Sequence, residues 1–399
     1  MVKIFITIDV ETSIGGAFAK PDKLRPVGAD KRIYGQIGNR EFGIPLIIDI
    51  LNKHNLKATF FVEPFCSFYF GEKIIKEICH YILNRGHDVQ LHLHPNYQIF
   101  KCPDWQERAK RKELFPDIIA KYTLDEQINL IKQGKKILEK YGVKPIAFRA
   151  GCFGANLNTL MALKENDFLI DSSYNLSFLG KTCFLHPLHL TSHLSRFTSR
   201  LSLLTSHISP LTSHVSPLTS YVSRLTYLND LTLINGIYEL PITNYYDFKI
   251  GNFKRLRTLD ICAVSFYEMK KILRYALKKG PKHITFILHS FSLIKKRDVQ
   301  YKTARPNFIV INRFKKLCEF LSKNKNLFKV IALSQFAQSL PDYELSTKDY
   351  ELRTKHYGLR TMDYGLSTKD YGLWTKHYIP FIGNIASLLR YITQAIQYL

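Results

Sequence analysis

The chain has 399 residues, 46% of them apolar, enough for one large domain or two smaller ones around a packed core. Lys and Arg outnumber Asp and Glu by 57 to 33, which suits an anionic partner such as a nucleic acid, an acidic glycan or a lipid surface; no zinc-finger, RNA-recognition or helix-turn-helix pattern accompanies the charge, so a nucleic acid is not expected. No apolar run reaches the roughly 18 residues of a spanning helix, and "MVKIFITIDVE" begins as a strand rather than as a secretion signal.

In chain order, strand patterns cover 3–11 (KIFITIDVE), 58–64 (ATFFVEP), 87–94 (HDVQLHLH), 146–151, 168–173, 236–242, 283–289 and 329–336 (KVIALSQF). Helical patterns lie between most of them, at 43–55, 71–86, 124–142, 156–167, 265–280 and 312–324. Apolar residues at three- and four-residue spacing, set between short apolar strands, predict βα units on a parallel sheet. Seven or eight such strands can close into a barrel.

Two stretches break this alternation. From about 190 to 227 the chain repeats every seven residues, marked by Thr191, Thr198, Thr205, Thr212, Thr219 and Thr226. From about 342 to 378 a second seven-residue repeat is marked by Tyr343, Tyr350, Tyr357, Tyr364, Tyr371 and Tyr378. A coiled coil is disfavoured, because Pro210 and Pro217 interrupt the first array and the Tyr/Leu spacing of the second makes no helical stripe. Both read as duplicated, low-complexity surface segments. The domain reading is therefore a barrel over 1–338 interrupted by an insertion at about 184–229, then a repeat tail over 339–378. The end of the chain, 379–399, places Ile385, Leu388, Leu389, Ile392, Ile396 and Leu399 on one face of an amphipathic helix. Such a helix can dock on protein or touch a membrane surface peripherally.

Seven cysteines without a CxxC pair read as reduced thiols in a cytoplasmic protein, with the inner face of the membrane as a further location for it.

In a parallel barrel the chemistry gathers at the carboxyl ends of the strands. There the sequence places Asp9 and Glu11, then Glu63, His92 and His94, Arg149, Asp171 and Ser172, Glu239, and His289. Alternate strand residues share a face, so Asp9 can point the same way as Glu11, and His92 the same way as His94. Imidazoles and a carboxylate suit a divalent metal with an open position; a second carboxylate can serve as base and a separate histidine as acid. Each element alone is weak, since a lone strand-end histidine is more often structural; His87, at the start of its strand and far from the mouth, is expected to be structural.

The order "TIDVE", "ATFFVE", "GHDVQLHLHP", "FRAG", "ELP", "ILHS" resembles the polysaccharide deacetylase (NodB-homology, chitooligosaccharide deacetylase-like) family over roughly 1–183 and 230–338. The resemblance implies a distorted (β/α) barrel that hydrolyses N-acetyl, sometimes O-acetyl, groups of amino sugars. It implies a divalent metal, usually zinc, holding the water and the acetyl carbonyl. Carried over by position, it makes Asp9 the base, Arg149 the group that orients the base, His289 the acid and His92 a metal ligand. Where the family often has adjacent aspartates, Val10 follows Asp9, so Glu11 stands as the carboxylate ligand. Where the second histidine is usual, this chain has Asn96, so His94 is taken as the third ligand. The aspartate and tryptophan that support the acid are not evident in "YELPITN", which leaves Glu239 as its expected support and Glu63 as a further substrate-side or supporting group. The function expected is thus hydrolytic removal of acetyl groups from a polysaccharide or glycan intermediate. The alternative is a glycan-binding relative that kept the barrel without turnover.

Overall fold

β1 (Val2–Val10) runs through the interior of a mainly parallel, curled sheet. The structure, a computed structural model, describes residues 1–185, 229–250, 253–278 and 280–341. The other sheet strands are β2 (Thr59–Val62), β3 (Asp88–Leu93), β4 (Ala147–Ala150), β5 (Ile170–Asp171), β6 (Thr232–Ile234), β7 (Ile237–Glu239), β10 (His283–His289) and β11 (Phe328–Val330). β8 (Asn244–Ile250) and β9 (Phe253–Thr258) form a separate antiparallel hairpin. The spatial order is β10-β1-β2-β3-β4-β5-β7-β6, with β6 antiparallel to β7. β1 shares one side between two partners: β11 pairs with Val2–Ile4 and β2 with Thr7–Val10.

Between β7 and β10 extended chain replaces the ladder. Thr243 N donates to Thr285 O, and the segment after the hairpin follows β10 through Ile261 N to Ile287 O and Ile287 N to Leu259 O. The expected distorted barrel is therefore present as a curled sheet closed by irregular segments. The expected helices are present as α1 (Ile44–Lys53), α2 (Lys73–Leu83), α3 (Leu124–Glu139), α4 (Leu157–Glu165), α5 (Phe266–Lys278) and α6 (Phe308–Lys323). Capping boxes start three of them, Thr123 with Glu126, Asn156 with Thr159 and Ser265 with Glu268, each contributing about 1 kcal/mol.

The two-residue period of the strands divides the core. Ile4, Ile6, Ile8 and Val10 face outward against the helices, with Leu91, Leu93, Phe148, Phe286 and Leu288. Phe5, Phe61, Ala147, Ile170, Tyr238 and Leu240 face inward and form a second, smaller cluster. A short helix, Leu333–Ala337, closes this interior from below. Its Leu333 N donates to Thr59 Oγ1 and its Ser334 N to Asp88 Oδ2, while Phe336 meets Phe5 edge-on at 5.0 Å. This corrects the strand expected over 329–336: the ladder ends at Val330 and the apolar residues beyond it serve as a helical plug. The interior is thus apolar at its lower end and polar at its upper end, where the inward alternation continues into Asp9, His92, Arg149 and His289.

Both seven-residue arrays and the helix expected over 379–399, with the membrane contact suggested for it, lie outside the described residues. Among the described residues no helix is long and apolar enough to cross a membrane. All seven cysteines are free thiols.

Candidate functional site

Asp9 and Arg149 meet across the barrel. The β1–β2–β3–β4 order brings their strands round so that Arg149 Nη1 donates to Asp9 Oδ1 at 2.6 Å. Arg149 is fully buried, and its Nε and Nη2 donate to the Ser172 carbonyl, Ser172 Oγ and Thr7 Oγ1, all at 3.0 Å. Its guanidinium also lies 4.2 Å from the Phe61 ring centre. Burial disfavours ionised Asp9, but Arg149, His92 and His289 outweigh it and hold the carboxyl below its ordinary value. Asp9 is directly paired in register with His289, whose Nε2 lies 3.9 Å from Asp9 Oδ2. An ionised carboxylate and an imidazole therefore stand side by side at the mouth.

Glu11, His92 and His94 converge beside them, with one potential ligand atom from each within 4.8 Å of the others. His94 Nε2 lies 2.7 Å and His92 Nε2 3.6 Å from Glu11 Oε2. The opposite ring nitrogens are both engaged: His92 Nδ1 with the Arg149 carbonyl at 2.9 Å, His94 Nδ1 with Asp117 Oδ1 at 2.8 Å. A carbonyl can only accept, so His92 Nδ1 carries the proton and its Nε2 lone pair is free when the ring is neutral. Both imidazoles are thus oriented from behind and turn Nε2 toward one carboxylate oxygen, the arrangement that metal-binding histidines use. The residues present fit a divalent cation with two nitrogen ligands and one oxygen ligand.

The room for this arrangement is built in. A Cβ on Gly151 would stand 2.6 Å from His94 Nδ1, so the backbone after β4 passes the ring only as glycine. Burial opposes charge on His94, yet Asp117 and Glu11 on either side raise its pKa well above the usual imidazole value. Burial likewise opposes ionised Glu11, but His94, His92 and Arg32 hold it well below the usual carboxylate value.

Of the two groups expected in supporting roles, Glu63 lies within electrostatic range of His94 and Glu11, and Glu239 is turned away from the site. Glu63 accepts from the backbone N–H groups of Phe65 and Cys66, both at 2.8 Å, and so closes the turn after β2. Burial pushes its carboxyl up to about 8, although His94 and those two N–H groups pull it down. Glu239 was expected behind His289. It is instead paired in register with Asp171 and accepts from Tyr174 N at 3.0 Å. The reason is the strand period: Tyr238 and Leu240 face the interior, which turns Glu239 to the opposite side.

Three groups at the site were not read from the sequence. Asp117 lies in an irregular stretch between β3 and α3, with no periodic signal to single it out. Asp260 follows the β8–β9 hairpin and bridges to Ile287 on β10; burial raises its carboxyl above the ordinary value, and the nearby His289 offsets part of that rise. Its only signal was a carboxylate after a strand-like run, and that run was not assigned. Arg32, from the short helix Ala29–Arg32, reaches Glu11 Oε1 at 2.9 Å.

No protein-family model and no curated protein sequence matches the chain. Solved structures similar to it, at 16% identity or less, include the following three. A candidate polysaccharide deacetylase from Mycobacterium smegmatis is 15% identical, with 86% of this chain and 91% of that chain covered and a TM-score of 0.40. A peptidoglycan deacetylase from Bacillus subtilis is 12% identical over 90% of this chain and 97% of that one, with a TM-score of 0.35. A pseudoenzyme of carbohydrate esterase family 4 from Bacillus anthracis is 16% identical over 42% of this chain and 41% of that one, with a TM-score of 0.26.

Proposed function

We propose that this chain is a metal-dependent hydrolase that removes acetyl groups from the amino sugars of a polysaccharide or glycan intermediate. The observation that carries the reading is the orientation of His92 and His94, each tethered through Nδ1 and aimed through Nε2 at Glu11, which lies two residues after Asp9 of the buried Asp9–Arg149 pair. The motif order on successive strands supports the same reading. A cytoplasmic location is a further proposal, in keeping with seven cysteines that are free thiols.

Glu11, His92 and His94 would hold a divalent cation, zinc by preference for this donor set, which would supply Lewis acidity for an acetyl carbonyl and for water. The protein does the proton transfers. Asp9, kept ionised by Arg149, takes a proton from the attacking water. Arg149 aims Asp9 and is itself held by Thr7 and Ser172. His289, beside Asp9 and half exposed at the mouth, delivers a proton to the departing amine. Asp260, within electrostatic range of His289, would offset the positive charge on His289 during that step. The partner implied is an acetylated amino-sugar glycan.

The test combines metal content with acetate release. Purified protein is reconstituted with zinc and compared with the His92→Ala/His94→Ala double variant, and both are assayed on N-acetylated chito-oligosaccharides. Equimolar metal lost in the variant, with acetate release that falls with it, is the expected result. No metal in the parent after reconstitution would overturn the reading. Metal without acetate release from N- or O-acetylated sugars would favour the glycan-binding alternative.

A further inference from the structure

Glu11 has two carboxylate oxygens, and the structure uses them differently. Oε2 faces His94 Nε2 at 2.7 Å and His92 Nε2 at 3.6 Å. Oε1 is taken by Arg32 Nη2 at 2.9 Å, which also reaches the Thr12 carbonyl at 3.3 Å. The other end of the same guanidinium donates through Nη1 to the Tyr301 hydroxyl. Its flat face lies on Phe291, with the guanidinium carbon 3.3 Å from the ring centre. Arg32 is 6% exposed, so this is a desolvated charge fixed on three sides.

We propose that Arg32 is a positioning residue for the metal site: it fixes the Glu11 carboxylate so that one oxygen alone faces His92 and His94. The proposal rests on the metal-binding reading of those three residues.

The physical need is clear from the side chain. The terminal torsion of a glutamate is broad, so an untethered carboxylate turns freely and presents either oxygen, or both. A partner on Oε1 removes that freedom before a cation arrives. Metal ligands are ordinarily oriented in this way by a neighbouring hydrogen bond; His92 has the Arg149 carbonyl and His94 has Asp117. Arg32 supplies the third such contact, so that every proposed ligand is held from behind.

An arginine suits the place better than a lysine. Only a planar guanidinium can stack on Phe291, donate sideways to Tyr301 and reach a carboxylate together. The far wall is shaped for the task. Tyr301 has φ +57, a left-handed conformation that costs a bulky residue stability, and in it the hydroxyl meets Arg32. Phe291 lies two residues after His289, so the same guanidinium links the carboxylate ligand to the loop that carries the proposed acid.

The test is a Co²⁺ titration of the parent, Arg32→Ala and Arg32→Lys, read by affinity and by the visible absorption of the bound ion. Arg32→Ala is expected to bind about 10–100-fold more weakly, with an altered absorption band as the carboxylate changes its mode of binding. Arg32→Lys is expected to regain part of the affinity without the parent spectrum. Equal affinity and an unchanged spectrum in Arg32→Ala would overturn the proposal, and so would tighter binding, which would make Arg32 a competitor of the cation. If Arg32→Ala does not fold, Tyr301→Phe loosens the guanidinium without removing it. Weaker binding in that variant supports the proposal and parent-like binding overturns it. A parent that binds neither Co²⁺ nor Zn²⁺ defeats the metal-binding reading along with this one; a parent that binds, with variants that match it, defeats this one alone.

Discussion

Arg149 Nη1 donates to Asp9 Oδ1 at 2.6 Å in the barrel interior, and both side chains are almost wholly out of water. Removing one partner of such a pair leaves a buried charge uncompensated. Arg149→Met is therefore expected to cost about 3–5 kcal/mol in urea unfolding. Asp9→Asn should cost less, because the amide oxygen can still accept from Arg149 while Ser172 and Thr7 keep the other donors. Acetate release by Asp9→Asn should nevertheless fall by about 10²–10⁴, the usual worth of a positioned base. Near-parent turnover in Asp9→Asn would remove Asp9 from the proposed mechanism, whatever the variant's stability.

Asp117 accepts from His94 Nδ1 at 2.8 Å and is partly open to solvent, so it can be changed with little disturbance to the core. Asp117→Asn is expected to weaken zinc binding by about 10–100-fold and to leave the melting temperature of the metal-free protein close to the parent's. Gly151→Ala reaches the same ring from the other side, where the new methyl would meet Nδ1 at 2.6 Å. Both variants should lose zinc to a chelator more readily than the parent. Retention equal to the parent's in both would mean that the orientation of His94 does not govern the site.

His289 and Asp260 separate chemistry from metal binding. Neither belongs to the Glu11, His92 and His94 cluster. His289→Gln and Asp260→Asn are expected to keep equimolar zinc while acetate release drops, by about 10²–10⁴ for His289→Gln. The loss for Asp260→Asn should be smaller, since it acts through His289. Zinc loss in either variant would show that the two halves of the site are not independent.

The inward-facing half of this site was legible because strand periodicity carries it. Asp9 and Glu11, like His92 and His94, are two apart, and a two-residue period puts each pair on one face. The same period, applied to Tyr238 and Leu240, turns Glu239 away from His289, against what its place in the motif order suggests. Asp117, Asp260 and Arg32 were not legible. Each reaches the site from an irregular segment or a helix of four residues, where no repeat ties a position in the chain to a direction in space. The helical plug Leu333–Ala337 was hidden for a related reason. A short apolar run is compatible with strand and helix alike, and only the open lower end of the barrel decides between them.

Asp171 and Glu239 face each other in register on the outer side of the sheet, both fully buried. Burial raises the Asp171 carboxyl to about 6; burial and the neighbouring Asp171 charge raise Glu239 well above the ordinary value. The pair therefore holds protons in the folded chain that the unfolded chain has released above about pH 4. More protons in the folded state means that stability falls as pH rises. The contribution is complete below the ordinary carboxylate range and is lost as pH climbs through about 6 and beyond. Glu239→Gln should flatten that decline. The glutamine carbonyl can accept from Tyr174 N in place of Glu239 Oε1, while its amide donates to an ionised Asp171 that no longer faces a second acid. Urea midpoints for parent and variant, measured between about pH 5 and pH 8, are expected to diverge with rising pH in favour of the variant. Parallel curves would mean that the pair exchanges no protons on unfolding in this range, and that some other buried group, such as Glu63 at about 8, governs the alkaline side.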